Sequence, residues 1–127
     1  MAVRGVDERV REICLALPGA TERLSHGAPA FFAGRQFVMV WPEGHHDRPN
    51  PCLWCAAPPG AQEGWIASDP RRCFRPPYVG SRGWLGVLLD GRVDWARVEM
   101  LCEDAYRTVA STKLVALLDA GDERGPS

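Results

Sequence analysis

The densest chemistry-bearing stretch of the chain is Arg71-Arg72-Cys73-Phe74-Arg75-Pro76-Pro77-Tyr78-Val79-Gly80-Ser81-Arg82-Gly83-Trp84, and no acidic residue falls between Asp69 and Asp90. Guanidinium groups present a fixed fork of donors that matches phosphate or carboxylate and stacks on rings. Tyr78 and Trp84 add flat apolar area with a polar tip. Residues 70–93 carry five arginines against one acid, whereas residues 1–69 carry six arginines against eight acids and residues 94–127 four bases against seven acids. With a formal net charge of −1 the whole molecule has no long-range pull on nucleic acid or an anionic membrane. A basic patch on a near-neutral body suits weak, salt-sensitive contact with an anion.

Other residues with chemical potential read more plainly as structure. Cys52-Leu53-Trp54-Cys55, preceded by His45-His46, has the residue types of a zinc site. In a strand, however, residues i and i+3 point to opposite faces, so these two thiols diverge. A redox role needs the pair at a helix N-terminus, and Ala56-Ala57-Pro58 follows instead. Both are read as small buried strand residues, and no metal or other cofactor is expected. His26, in Ser25-His26-Gly27, reads as a turn residue before a titratable pocket group. Nucleophile-elbow, phosphate-loop, dinucleotide and zinc-protease signatures are all missing, so no catalytic residue is assigned and an enzyme is not expected.

The elements that must position these residues follow from periodicity. Val6, Val10, Ile13, Cys14 and Leu17 form one helical stripe, stopped by Pro18-Gly19. Strands are expected over Ala28–Ala33, Gln36–Trp41, Cys52–Ala57 and Trp84–Leu89, with a tight turn at Ala33-Gly34 and a polar loop from Pro42 to Pro51. A short helix fits Ala61–Ala67. Asp94 caps a longer helix from Trp95 to about Val109, and Ser111-Thr112 a shorter one stopped by Gly121, with residues 122–127 frayed. Hairpin-linked strands followed by helices imply an α+β two-layer domain over residues 1–127. No apolar run is long enough to span a membrane, and no apolar segment follows Arg4, so a cytoplasmic location with reduced thiols is expected of the five cysteines.

These pieces resemble the MmcQ/YjbR-like family of small bacterial proteins. The resemblance rests on Ser25-His26-Gly27-Ala28-Pro29-Ala30-Phe31, Gly34-Arg35-Gln36-Phe37, Asp69-Pro70 with Phe74, and Pro76-Pro77-Tyr78-Val79-Gly80. It continues in Gly83-Trp84-Leu85-Gly86-Val87, Asp94-Trp95 and Ala105-Tyr106-Arg107, spanning roughly residues 5–118. It implies a CyaY-like topology, an antiparallel β-sheet with helices packed on one face, and a DNA-binding label attached to a double-wing surface. The chain departs from the family pattern at Ala105, where a serine is usual, and in the 42–51 loop. The frataxin-like topology brings no iron site with it, since the first helix has only Asp7, Glu8 and Glu12.

Three functions compete. The first is DNA binding through an Arg/aromatic β-wing, with Arg71, Arg72, Arg75, Arg82, Arg35 and Lys113 holding phosphates in a weak, salt-sensitive contact while Tyr78 packs on sugar or base. The second is a small-molecule pocket between sheet and helices, built from Ser25, His26, Tyr78, Trp84 and Arg107. The third is a protein contact through the Pro/aromatic loop.

Overall fold

The computed structural model of the chain describes residues 5–45 and 48–124. Helix α1 (Val6–Leu15) leads into a meander of β1 (Thr21–Ser25), β2 (Ala28–Ala33), β3 (Arg35–Trp41) and β4 (Cys52–Cys55). Helix α2 (Ala61–Ser68) precedes β5 (Cys73–Phe74), a 3-10 turn at Val79–Arg82 and β6 (Leu85–Leu88). Helices α3 (Trp95–Val109) and α4 (Thr112–Arg124) close the chain. The six strands form one antiparallel sheet in the order β1-β2-β3-β4-β6-β5, so β6 inserts between β4 and β5.

Register sorts the side chains of the sheet into two faces, because directly paired residues share a side. Val38 pairs with Cys55 and Val40 with Leu53, while Leu85 and Val87 lie opposite Cys55 and Leu53. This face is covered by α1 and α3, which pack on the central strands and on each other. Val10 and Cys14 from α1, and Val98, Leu101, Cys102 and Tyr106 from α3, are buried against it. Tyr106 donates its hydroxyl proton to the Pro18 carbonyl at 2.6 Å and meets Phe37 edge-on, with ring centroids 5.7 Å apart. The alternate residues form the opposite face, on which none of the described helices packs: Met39, Trp54, Gly86 and Phe74 stand in one row across β3, β4, β6 and β5.

A bulge lets one strand serve both faces. Phe31 pairs with Val38 but its neighbour Phe32 pairs with Gln36, which leaves Phe37 as an extra residue on β3. Phe37 therefore joins the helix side with Val38 and Val40, while Gln36, Met39 and Trp41 remain on the other. Nothing in the sequence pattern signals this shift.

The expected helices and strands form with boundaries within a few residues of their sequence signals, and Asp94 caps α3 by accepting from the Arg97 N–H at 3.1 Å. Two strands were missed, the edge strand β1 and the two-residue β5. The expected stop at Gly121 is corrected: α4 runs through it to Arg124, because an interior glycine costs a helix only about 1 kcal/mol relative to alanine and does not end it. Residues 122–124 of the tail expected to fray continue α4 instead, and residues 125–127 lie outside those described. Among the described residues no helix is long and apolar enough to cross a membrane.

Candidate functional site

On the helix-free face of the sheet lies a cleft of ≈ 680 Å³. Met39, Trp41 and Trp54 form its floor, and Ser25, His26, Gln36, His45, Tyr78, Val79 and Arg82 its rim. Four of these rings form a connected cluster. Trp41 and Trp54 have centroids 5.1 Å apart, and His45 lies 4.8 Å from Trp41, 5.0 Å from Trp54 and 6.3 Å from Tyr78. Among the described residues the lining contains no carboxylate. The indole N–H groups of Trp41 and Trp54 are shielded from solvent and have no acceptor. An unsatisfied buried donor costs about 1–3 kcal/mol, so two in one wall is an expensive arrangement for a purely structural surface.

Local sequence explains how the rim is held. His26 and Gly27 occupy the two-residue turn between β1 and β2 with φ of 52° and 80°, a turn whose twist matches the strands, and this brings Ser25 and His26 to the cleft. The loop after β3, from which Gly44 and His45 line the cleft, closes where His45 and Arg48 exchange backbone hydrogen bonds at 2.9 and 2.7 Å. Gly44 permits this, since any side chain there would overlap the backbone of Arg48 and Pro49. On the other side, Tyr78 sits at φ 64°, ψ −66°, the centre of a γ-turn closed by the Val79 N–H on the Pro77 carbonyl at 2.7 Å. That conformation is rare and strained for a residue with a side chain. It leaves the Tyr78 ring 76% exposed, standing over the cleft.

The Arg/aromatic segment does not project as a wing. Gln62 of α2, 5% exposed, donates from Nε2 to the carbonyls of Gly80 at 2.9 Å and Trp84 at 2.6 Å, pinning the segment to the body. Arg72 is used internally: it pairs with Asp90 at 3.3 Å and donates to the carbonyls of Leu88 and Asp90 at 3.0 and 2.9 Å. Arg71 and Arg75 are exposed, and Arg82 is exposed at the cleft rim. Arg35 lies at the hairpin between β2 and β3, and Lys113 lies on α4 in the helix layer. The seven residues expected to contact nucleic acid thus fall into separate places, with Tyr78, Arg75 and Arg82 alone bordering the cleft and a smaller cavity next to it.

The expected pocket moves to the other side of the sheet, because the space between sheet and helices is filled by the core. Ser25, His26 and Tyr78 meet in the cleft. Trp84 does not: it is buried, 7% exposed, as the anchor leading into β6. Arg107 does not either, since it pairs with Asp119 at 2.8 Å and with Glu103 at 3.4 Å on the helices, contacts that raise its pKa. Gln36, Met39, Trp41, His45 and Trp54 were missed. The signal available was the i, i+2 spacing of Met39 and Trp41 on one strand with a further tryptophan on the next.

Cys52 and Cys55 face opposite sides of the sheet. Burial pushes the Cys52 thiol up to about 11, against the pull of Arg48 and of the nearby Trp54 indole, whose N–H closes no hydrogen bond with it. Burial likewise drives Cys55 well above its ordinary value among Cys102 and Cys73. Both are neutral thiols at physiological pH, and all five cysteines are unpaired by disulfides. Among the described residues no three His, Cys, Asp or Glu side chains gather as a metal site, and His46 lies outside those residues.

A family model described as YjbR matches residues 15–108, a span that runs from the end of α1 into the last turn of α3 and contains every cleft residue. The chain belongs to the YjbR family. The crystal structure of the Deinococcus radiodurans protein DR2400, a domain of the family model DUF419, is similar with a TM-score of 0.69 over 87% of this chain and 81% of that one. Sequence identity is 20%, so the likeness is one of fold: an α+β YjbR-like domain with an antiparallel sheet. No curated protein matches the chain.

Proposed function

We propose that this YjbR domain binds a small, flat, acceptor-rich molecule in the cleft on the helix-free face of its sheet. One observation carries the reading: a connected ring cluster of Trp41, His45, Trp54 and Tyr78 lines a cleft of ≈ 680 Å³ that has basic and neutral donors but no described carboxylate. A pocket of this size, with an apolar floor and few polar groups at the rim, suits a ligand of a few rings. Offset or edge-on ring contacts add about 0.5–1.5 kcal/mol each beyond area burial. A modest shift of the His45 ring, which lies edge-on to Trp41 and tilted against Trp54, admits an acceptor atom to their N–H groups. Nearby, the Cys52 sulfur is a neutral thiol, a poor nucleophile. The proposed role of the cleft is binding, and Cys52 supplies no nucleophile to it.

DNA binding, which the family resemblance implies, draws less support from the geometry. Arg72 is satisfied by Asp90 and backbone carbonyls, and Lys113 sits in the helix layer, which removes two of the proposed phosphate contacts. Arg82 at the cleft and Arg75 at the smaller cavity beside it suit a single ring-bearing anion better than the evenly spaced phosphates of a duplex. The test is a thermal-shift and tryptophan-fluorescence screen of heteroaromatic metabolites beside a duplex oligonucleotide at two salt concentrations. A saturable small-molecule response with weak duplex binding supports the cleft; tight, strongly salt-dependent duplex binding and no small-molecule response overturns it.

A further inference from the structure

The cleft has a smaller neighbour of ≈ 230 Å³, lined by His45, Arg48, Cys52, Trp54, Phe74, Arg75 and Pro77. His45 and Trp54 line both cavities, so their rings form the partition between two chambers of one trough. The chambers differ in chemistry. The larger presents rings and a single guanidinium, Arg82. The smaller presents two guanidiniums, Arg48 and Arg75, and again no described carboxylate.

Neither arginine has an ion-pair partner among the described residues, unlike Arg11, Arg72, Arg97 and Arg107. Both are nevertheless held. The Arg48 guanidinium stacks on the Phe74 ring at 4.0 Å to the centroid, and the stem of Arg75 runs along Gly80, where any side chain would collide with it. Phe74 in turn lies against Gly86, whose missing side chain leaves room for the ring beside Trp54. Two positioned, unpaired forks around a small cavity are arranged for a tetrahedral or planar anion, and arginine meets phosphate through paired hydrogen bonds.

We propose that the smaller chamber is a phosphate subsite, and that the ligand is a heteroaromatic monophosphate: ring in the larger chamber, phosphate between Arg48 and Arg75, the two parts joined past His45 and Trp54. This rests on the binding role proposed above and adds the class of ligand. Because charge-assisted hydrogen bonds are worth about 1.5–3 kcal/mol, the phosphate contributes at least about tenfold in affinity.

The test is calorimetry with matched pairs, adenosine against AMP, uridine against UMP and phenol against phenyl phosphate, on the wild-type chain and on Arg48→Gln/Arg75→Gln. In at least one pair the phosphorylated member binds about tenfold or more tightly. The double variant, checked for folding by circular dichroism, abolishes that difference while still binding the dephosphorylated member. Inorganic phosphate in excess competes with the phosphorylated member only. A single-stranded tetranucleotide run beside UMP distinguishes the source of the phosphate: tighter binding per nucleotide assigns it to a strand, weaker binding to a free nucleotide-sized molecule. Rings that bind equally with and without phosphate overturn the subsite and leave the cleft standing. If no member of any pair binds, both fall.

Discussion

The Gln62 side-chain amide donates to the Trp84 carbonyl at 2.6 Å, and with its second contact on Gly80 it clamps both ends of the turn that follows Tyr78. A buried glutamine on a short helix thus fixes one wall of the cleft. Gln62→Leu keeps the volume but leaves the Trp84 carbonyl without this donor, an expected loss of about 1–3 kcal/mol in urea unfolding. Ligand affinity falls by more than stability alone explains, because Tyr78, Val79 and Arg82 lose their placement. A variant with wild-type stability and binding would show that the clamp is idle.

Gly86→Ala inserts a methyl group where the Phe74 ring lies, in the middle of a sheet. Overpacking of this kind costs about 1–3 kcal/mol, read as a lower melting temperature. Since Phe74 carries the Arg48 guanidinium, the same variant also weakens binding of phosphorylated ligands.

Tyr78→Gly separates strain from recognition. Glycine adopts a φ of 64° freely, and the largely exposed Tyr78 ring buries little area. Stability is expected to stay within about 1 kcal/mol of the wild type, since relief of strain and the higher entropy of an unfolded glycine oppose each other. Ligand binding weakens because the cleft loses a ring. A large loss of stability would contradict this account of the turn.

Acid should remove one contact selectively. Arg11 donates to both carboxylate oxygens of Glu22 at 2.7 and 2.9 Å, and this hydrogen bonding holds the Glu22 carboxyl below its ordinary range. A carboxyl depressed in the folded state contributes its stability fully above the unfolded value, about 4.3, and loses it as pH falls through the lower folded value. Both side chains are partly exposed, so the contribution is below about 1 kcal/mol. The stability difference between wild type and Glu22→Gln is expected near neutral pH, should begin to shrink as pH falls below about 4.3, and should be lost once pH passes below the depressed folded value.

Much of the fold is written in local pattern. The stripe Val10/Cys14, the capping Asp94 and the runs at 28–41, 52–57 and 84–89 each mark an element, because periodicity and caps act over a few residues. What escaped was set at longer range. Thr21–Ser25 is a partly exposed edge strand with no strong alternation, and Cys73–Phe74 is too short to leave a pattern. The cleft escaped for a related reason. Apolar residues occupy both faces of β3 and β4, and the sequence does not say which face the helices cover. Ser25, His26 and Tyr78 were within reach because turn chemistry marks them. Trp41 and Trp54 were not, since a strand tryptophan reads the same in a core and in a binding floor.

The five tryptophans offer the most direct measurement, a titration of the ¹⁵N-labelled chain with AMP followed through the indole N–H resonances. Trp41 and Trp54 line the cleft, whereas Trp65, Trp84 and Trp95 lie elsewhere. Saturable shifts of the Trp41 and Trp54 signals, with the other three unmoved, are the predicted result. Shifts confined to the other three, or no shift at any concentration up to the solubility limit, would contradict a binding role for this face of the sheet.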